Sequence, residues 1–226
     1  MAEPADVPEI EARLREVFGV PHWAPDLEPL AELIQTILSQ HTTGVNSRRA
    51  YEHLRSRFPT WDDVRDADPD EIAAAIRSAG LARLKAPRIK QIVAQVWAER
   101  GDYNLSFLAD LPIGEAMAWL TRLPGVGQTT AACCLLFGLN RPAMPVDTAI
   151  QRIAVRLGLA PQGAPADVVQ ATLQDAVPEH DVYPLLVNLI RFGRQICLPS
   201  APLCAICPLN DLCAYFQQGG RRVQGL

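Results

Sequence analysis

Four cysteines near the C-terminus are the residues of this sequence best suited to chemistry. Cys197, Cys204, Cys207 and Cys213 follow the spacing C-x6-C-x2-C-x5-C, with prolines between them. Thiolates spaced this closely favour a shared metal centre over disulfides. Structural zinc sites usually combine two CxxC pairs or a CxxC with histidines, whereas here there is one CxxC and no histidine after His180. The pattern therefore favours a 4Fe–4S cluster, with structural zinc and disulfides as the alternatives.

A carboxylate stands before an amphipathic segment, in Pro145-Val146-Asp147-Thr148. The spacing of Ile150, Ile153 and Leu157 predicts a helix, and Asp147 occupies the position of its N-cap. A carboxylate held in place at a helix start could stabilise the positive charge that develops on a sugar when an N-glycosidic bond breaks. The capping role and the chemical role are compatible.

Residues 115–139 predict a helix, a tight turn and a second helix. The turn is Leu123-Pro124-Gly125-Val126-Gly127, and the second helix begins at about Gln128. Its two glycines permit positive φ and close approach of a partner. Unpaired N–H groups at the start of the second helix could bind a phosphate. A plain connector between two helices is the alternative.

The elements around these residues are predicted to be helical. Asp68-Pro69-Asp70-Glu71 combines a capping aspartate, a proline at the first helical position and a glutamate three residues after the cap. Gly80 is a helix stop, and Thr60-Trp61, Pro112 and Pro165 mark further starts. Strand signals are nearly absent, so we predict an all-α fold of about ten to twelve short helices. Leu27, Leu30, Ile34, Ile37 and Leu38 keep helical spacing in the early part of the chain.

The net charge of −4 over 226 residues conceals an uneven distribution. The acidic residues avoid four stretches, and these stretches carry ten positive charges. This favours one basic face on an otherwise acidic protein, although acid-free stretches are also typical of buried helices. The four stretches are residues 33–51, 81–98, 116–146 and 182–210, and their cations are Arg48, Arg49, Arg83, Lys85, Arg88, Lys90, Arg122, Arg141, Arg191 and Arg194.

The sequence disfavours secreted and membrane proteins. Its N-terminus lacks the basic, apolar and small-residue regions that follow one another in a signal peptide. No apolar run approaches the length of a membrane span. Free thiolates that hold iron suit a reducing compartment. We therefore expect a soluble cytoplasmic protein, associated with the nucleoid if the source is prokaryotic.

The turn, the aspartate and the cysteine run, in this order and spacing, resemble the endonuclease III family of helix-hairpin-helix DNA glycosylases. The resemblance extends from about residue 27 to residue 215 and includes Ile37-Leu38-Ser39-Gln40-His41-Thr42-Thr43 and Ala79-Gly80-Leu81. It implies a two-domain fold. One domain, residues 24–141, is a six-helix barrel that carries the hairpin, and the other, residues 1–23 with 142–226, carries the iron–sulfur cluster.

The resemblance also implies base excision repair by a monomer that acts on double-stranded DNA. Such enzymes bend the duplex, turn a damaged nucleotide out of the stack and remove its base. By this resemblance, Asp147 would act at the sugar, the four cysteines would bind a structural cluster, and the remaining site residues would contact DNA. Gly125, Val126, Gly127 and Gln128 would hold the DNA backbone, and Gln40, His41 and Leu81 would fill the gap left by the extruded nucleotide.

The chain departs from the family at several positions. Thr129 stands where bifunctional members have the lysine that attacks the sugar, and the only lysines are Lys85 and Lys90. We therefore predict a monofunctional enzyme or one with weak AP-lyase activity. Gln35 stands in place of the glutamate of adenine-specific members, which leaves damaged or mismatched pyrimidines as substrates.

Two further departures favour an alternative function. Residues 198–203, between the first two cysteines, carry no charge, and Ala149 occupies a position where the family often has histidine. The alternative is a catalytically weak or inactive protein that binds DNA lesions or abasic sites.

Overall fold

The computed structural model describes residues 6–24 and 26–220. These residues form twelve α-helices and four short 3-10 helices, and the described part of the chain contains no β-strand. The predicted all-α fold is confirmed. The helices are α1 (Val7–Phe18), α2 (Pro29–Ser39), α3 (Gly44–Arg57), α4 (Trp61–Asp66), α5 (Pro69–Ala75), α6 (Ala82–Arg100), α7 (Ile113–Thr121), α8 (Gln128–Leu139), α9 (Thr148–Leu157), α10 (Ala166–Ala176), α11 (Val182–Gln195) and α12 (Ala214–Gln217).

The chain divides into two compact units. One is Pro25–Arg141, and the other joins Met1–Ala24 to Pro142–Leu226. In the first unit, α2 is buried along most of its length and packs against α3, α6 and α8. In the second, α11 packs against α1 and α9. Each unit thus has a hydrophobic core of its own.

Local capping chemistry sets several helix starts. The Asp68 carboxylate accepts a hydrogen bond from the Asp70 N–H at 2.7 Å, and Pro69 follows the cap at the start of α5. Thr60 and Asp63 form a reciprocal capping box at the start of α4. These are the starts that the sequence predicts.

Helix ends and one start differ slightly from the expectation. Leu27 precedes α2 instead of lying within it, and α7 ends at Thr121, where the sequence predicts an end at Arg122 or Leu123. Gly80, with φ 67°, follows the last helical residue, as predicted. The helix that ends there is a 3-10 helix, Arg77–Ala79, which lies between α5 and Gly80. No helix in the described ranges is both long enough and apolar enough to cross a membrane.

Candidate functional site

The hairpin turn lies between α7 and α8, where the sequence predicts it. Gly125 has φ 77°, and a Cβ added there would lie 2.8 Å from Cδ of Arg88. Gly127 has φ −90° and extended backbone, with no atom within 4 Å of an added Cβ. Only Gly125 therefore uses the positive φ that was expected of both glycines, whereas Gly127 faces open space.

The other hairpin residues differ in how far their side chains are exposed. Val126 is buried, and its N–H donates to the carbonyl of Leu123 at 3.1 Å. Gln128 is exposed at the first position of α8, and Thr129, the residue at the lysine position, is half-buried. Contact with a strand at Val126 would therefore be through the backbone, and contact at Gln128 through backbone or side chain.

Gln40, His41 and Leu81 lie in two loops of the unit Pro25–Arg141. His41 is exposed with φ 55°, and Leu81 is 51% exposed with φ 50°. Residues other than glycine rarely adopt this left-handed conformation, which costs about 1–2 kcal/mol. The Gln40 side chain donates from Nε2 to the hydroxyl of Thr130 at 3.2 Å, in the second hairpin helix. Sequence reasoning singled out these residues but contained no signal for their unusual backbone.

The basic stretches separate into two groups. Half of their cations already have a partner in the protein: Lys85, Lys90, Arg141 and Arg191 donate to backbone carbonyls, and Arg122 pairs with Glu99 at 3.3 Å. The other half make no hydrogen bond or ion pair with any described residue and are exposed. These are Arg48, Arg49, Arg83, Arg88 and Arg194. Fewer cations are therefore available for a basic face than the sequence indicates. Four of the five lie in α3 and α6 of the unit Pro25–Arg141, in the helices that follow the two loops.

Asp147 caps α9, as the sequence predicts. Its Oδ1 accepts hydrogen bonds from the N–H groups of Ala149 and Ile150, each at 2.8 Å. The side chain is exposed, and no described residue donates a hydrogen bond to Oδ2. Ile150, Ile153 and Leu157 anchor α9 in the core of its unit. The carboxylate is therefore fixed by one oxygen and accessible at the other.

The four C-terminal cysteines line a single cavity in the unit Met1–Ala24 with Pro142–Leu226. None of them forms a disulfide. Burial raises the pKa of the Cys204 and Cys213 thiols and that of Cys207 to about 11. Loading with iron would therefore have to displace the thiol protons.

The lining of the cysteine cavity is compatible with an iron–sulfur cluster. Four thiols around one apolar cavity match the all-cysteine ligation of an iron–sulfur cluster. Leu157, Phe192 and Ile196 contribute to its apolar lining. The donor set is therefore compatible with the iron–sulfur cluster that the resemblance implies, and structural zinc stays the alternative.

Two arginines of α9 hold the segment that bears the cysteines. Arg156 donates to the Cys197 thiol at 3.3 Å and to the carbonyls of Leu198 and Pro199 at 2.7 and 2.8 Å. Arg152 donates to the carbonyl of Cys197 at 3.0 Å. Sequence reasoning missed both residues, although their i, i+4 spacing places them on one face of the helix. One rigid helix therefore carries the capping aspartate and the contacts to the cysteine segment.

Comparison with known proteins agrees with this arrangement. Residues 34–179 match the family described as HhH-GPD superfamily base excision DNA repair protein. The chain is 32% identical to Endonuclease III of Thermotoga maritima over 213 residues, which is 94% of this chain and 95% of that protein. It is 31% identical to DNA glycosylase/AP lyase ROS1 of Arabidopsis thaliana, in a match that spans 73% of this chain but 13% of the plant protein.

A solved structure extends the likeness to the fold. A non-covalent endonuclease III–DNA complex is 26% identical, with a TM-score of 0.83, and the match covers 96% of this chain and 97% of that one. The family match, the Thermotoga relative and this structure agree with the resemblance carried by the hairpin, the aspartate and the cysteines. The chain therefore belongs to the HhH-GPD superfamily of base excision DNA repair proteins, and it is an endonuclease III-like DNA glycosylase.

Proposed function

We propose that this protein is a monofunctional glycosylase that removes damaged or mismatched pyrimidines from duplex DNA by hydrolysis. The observation that carries the proposal is the accessible carboxylate of Asp147, which two backbone N–H groups fix at the start of α9. A second support is the absence of an available lysine nucleophile. DNA as the partner agrees with the endonuclease III–DNA complex that the chain resembles.

The proposed reaction depends on the carboxylate at two stages. When the bond between C1′ and the base nitrogen breaks, its electrons leave with the base and positive charge develops on the sugar. A preorganised carboxylate stabilises that charge. Water then adds its oxygen to C1′ and loses a proton, which ends on the departed base. Oδ2 of Asp147 would orient this water and accept the proton in passing.

Lyase chemistry needs an amine nucleophile, and the amines of both lysines of the chain are hydrogen-bonded to backbone carbonyls. The Lys85 amine donates to the carbonyls of Leu38, Gln40 and Ala79 at 2.8, 2.7 and 2.9 Å. Lys90 donates to the carbonyl of Ala67 at 2.7 Å. Burial lowers the pKa of Lys85, but an ammonium with all three N–H bonds donated has no lone pair to offer a sugar. A hydroxyl at position 129 cannot form an imine.

The grip on DNA would come from the hairpin and the exposed arginines. The N-terminus of α8 directs N–H groups outward, which suits a phosphate. Arg88 lies against the turn at Gly125 and has no acidic partner in the described ranges. Arg48, Arg49 and Arg83 would add further phosphate contacts. Because few cations are available, we expect binding with a modest dependence on salt.

The two hairpin glycines provide a matched pair of substitutions. Gly125→Ala should lower the free energy of unfolding by about 1–2 kcal/mol, since alanine is strained at this positive φ. Gly127→Ala should leave thermal unfolding unchanged, because an added Cβ meets no protein atom. Both should weaken duplex binding by about ten-fold, equivalent to about 1.4 kcal/mol. Fluorescence anisotropy with a lesion duplex measures this. Unchanged affinity in Gly127→Ala would mean that no strand approaches the turn closely.

A glycosylase assay with a panel of lesion duplexes tests the proposed function. For duplexes with oxidised pyrimidines, uracil or thymine mismatches, we expect strand breaks only after alkali treatment, because hydrolysis leaves an intact abasic strand. Thr129→Lys should restore an amine at the sugar and yield an adduct that borohydride traps. Wild-type protein provides the untrapped control.

The outcomes of this assay separate the alternatives. Breaks without alkali in the wild type would contradict the monofunctional assignment. Tight binding to an abasic or damaged duplex, with no base released under single-turnover conditions, would favour the lesion-binding alternative. Failure of Thr129→Lys to form an adduct, in a variant that still releases bases, would mean that position 129 does not face the sugar.

A further inference from the structure

Two loops of the unit Pro25–Arg141 hold left-handed residues without help from glycine. His41 has φ 55° and Leu81 has φ 50°. Both side chains are exposed and neither has a hydrogen bond to another described side chain. Such conformations persist only where the surrounding structure enforces them. Something within the unit must therefore hold these two loops in place.

One buried amine lies at the back of both loops. Lys85 is 2% exposed, and its ammonium donates one hydrogen bond to each of three carbonyls. The carbonyl of Gln40 comes directly before His41, and that of Leu38 lies three residues before His41 in the last turn of α2. The carbonyl of Ala79 lies two residues before Leu81. An ammonium has three N–H donors, so its hydrogen-bonding capacity is fully used. A single side chain thus ties the two loops together.

Burial of the Lys85 ammonium in the core costs free energy. A buried ammonium must give up its hydration, and no carboxylate is hydrogen-bonded to Lys85 in the described part of the chain. A methionine of similar length would avoid this cost, but it would leave three carbonyls without donors. The lysine therefore fixes the loop geometry in a way that an apolar side chain could not.

We propose that Lys85 is a positioning residue for nucleotide extrusion, which holds the Gln40–His41 and Gly80–Leu81 loops in the shape that enters the duplex. This inference rests on the proposed function, because it assigns these loops to the gap left by the extruded nucleotide. The loops are then set before DNA arrives, and binding does not have to order them.

Lys85→Met tests the inference with Lys90→Met as its matched control. Both changes remove a lysine of α6 that donates to backbone carbonyls, but the acceptor of Lys90 is Ala67, outside the two loops. Lys85→Met should slow single-turnover base release from a paired duplex by about 100-fold, the scale of a 1 Å misplacement. It should slow release from the same lesion in a bulge by less than about ten-fold. Lys90→Met should match wild type on both substrates.

A second variant keeps the test valid if Lys85→Met does not fold. Lys85→Arg preserves the charge, but a planar guanidinium cannot direct N–H groups at three carbonyls that surround an ammonium. We expect this variant to fold and to be intermediate in release from paired DNA. Circular dichroism melting establishes folding for all variants. Equal slowing on paired and bulged substrates, or no slowing in either Lys85 variant, would overturn the inference.

Duplex opening can be measured separately from chemistry. The probe is 2-aminopurine beside the lesion, with each Lys85 change placed in an Asp147→Asn background. The Asp147→Asn parent should raise its fluorescence on binding, and the additional Lys85→Met change should abolish the rise. If the wild type releases no base but the parent opens the duplex through Lys85, the proposed function fails and the positioning role stands. If no protein opens the duplex, the positioning role fails.

Discussion

Replacing Asp147 with asparagine will slow base release by about 100-fold to 1,000-fold, the effect expected when one preorganised charge-stabilising group is lost. Asparagine has no negative charge to offset the developing sugar cation, and it cannot take a proton from water. Duplex affinity should stay within about two-fold of wild type, because the change removes no phosphate contact. Single-turnover excision and fluorescence anisotropy on the same lesion duplex measure the two quantities.

The asparagine substitution separates catalysis from folding unusually well. Asp147 accepts two backbone hydrogen bonds through Oδ1, and an asparagine side-chain oxygen can accept both. Asparagine and aspartate are about equally good N-caps, so melting should barely change. Asp68→Asn is the matched control, since Asp68 also caps a helix, α5, through a carboxylate oxygen that accepts from a backbone N–H. That variant should excise at the wild-type rate. An Asp147→Asn enzyme that excises as fast as this control would remove the carboxylate from the mechanism.

Local chemistry makes several features of this fold predictable from sequence. The start of α4 depends on the reciprocal side-chain caps of Thr60 and Asp63, and the start of α5 depends on the Asp68 carboxylate, which accepts from the backbone N–H of Asp70. The hairpin and the cap at Asp147 are equally local, because glycine and aspartate act on adjacent backbone groups. Such features need no knowledge of the rest of the chain.

The loop conformations could not be predicted in the same way. Nothing in the type of His41 or Leu81 indicates positive φ, which bulky residues rarely adopt. The conformation depends on a long-range contact, since Lys85 lies 45 residues from Gln40 in the sequence. Hydrophobic periodicity predicts helices and strands, and it does not predict a contact between residues so far apart in the sequence.

Charge patterning was misleading for a related reason. The sequence gives the positions of the cations but not their hydrogen-bond partners. The predicted basic face therefore included Lys85 and Arg141. The structure places their charged groups on backbone carbonyls. Arg88 has the same residue type as Arg141 and no such partner. Only the packing distinguishes a structural arginine from one available to phosphate.

For a protein loaded with the predicted iron–sulfur cluster, replacing Cys207 with alanine should remove the visible absorbance of that cluster, and base release should fall by about 100-fold with it. The first effect follows from the loss of one of four ligands. The second follows from α9. With the cluster gone, the cysteine segment loses its cross-link, and Arg152 and Arg156 lose the fixed carbonyls to which they donate. The helix that fixes Asp147 then has fewer anchors. Absorbance, iron and sulfide content and single-turnover excision measure both effects.

Cys134→Ala is the matched control for loss of a buried thiol. Cys134 lies in α8 of the unit Pro25–Arg141, and its thiol donates to the carbonyl of Pro29 at 3.4 Å. Its loss should lower stability by about 1 kcal/mol and leave colour and excision unchanged. A Cys207→Ala protein that lacks iron but excises at the rate of this control would show that α9 holds Asp147 without the cluster. Zinc in place of iron in the wild type would instead contradict the predicted iron–sulfur cluster.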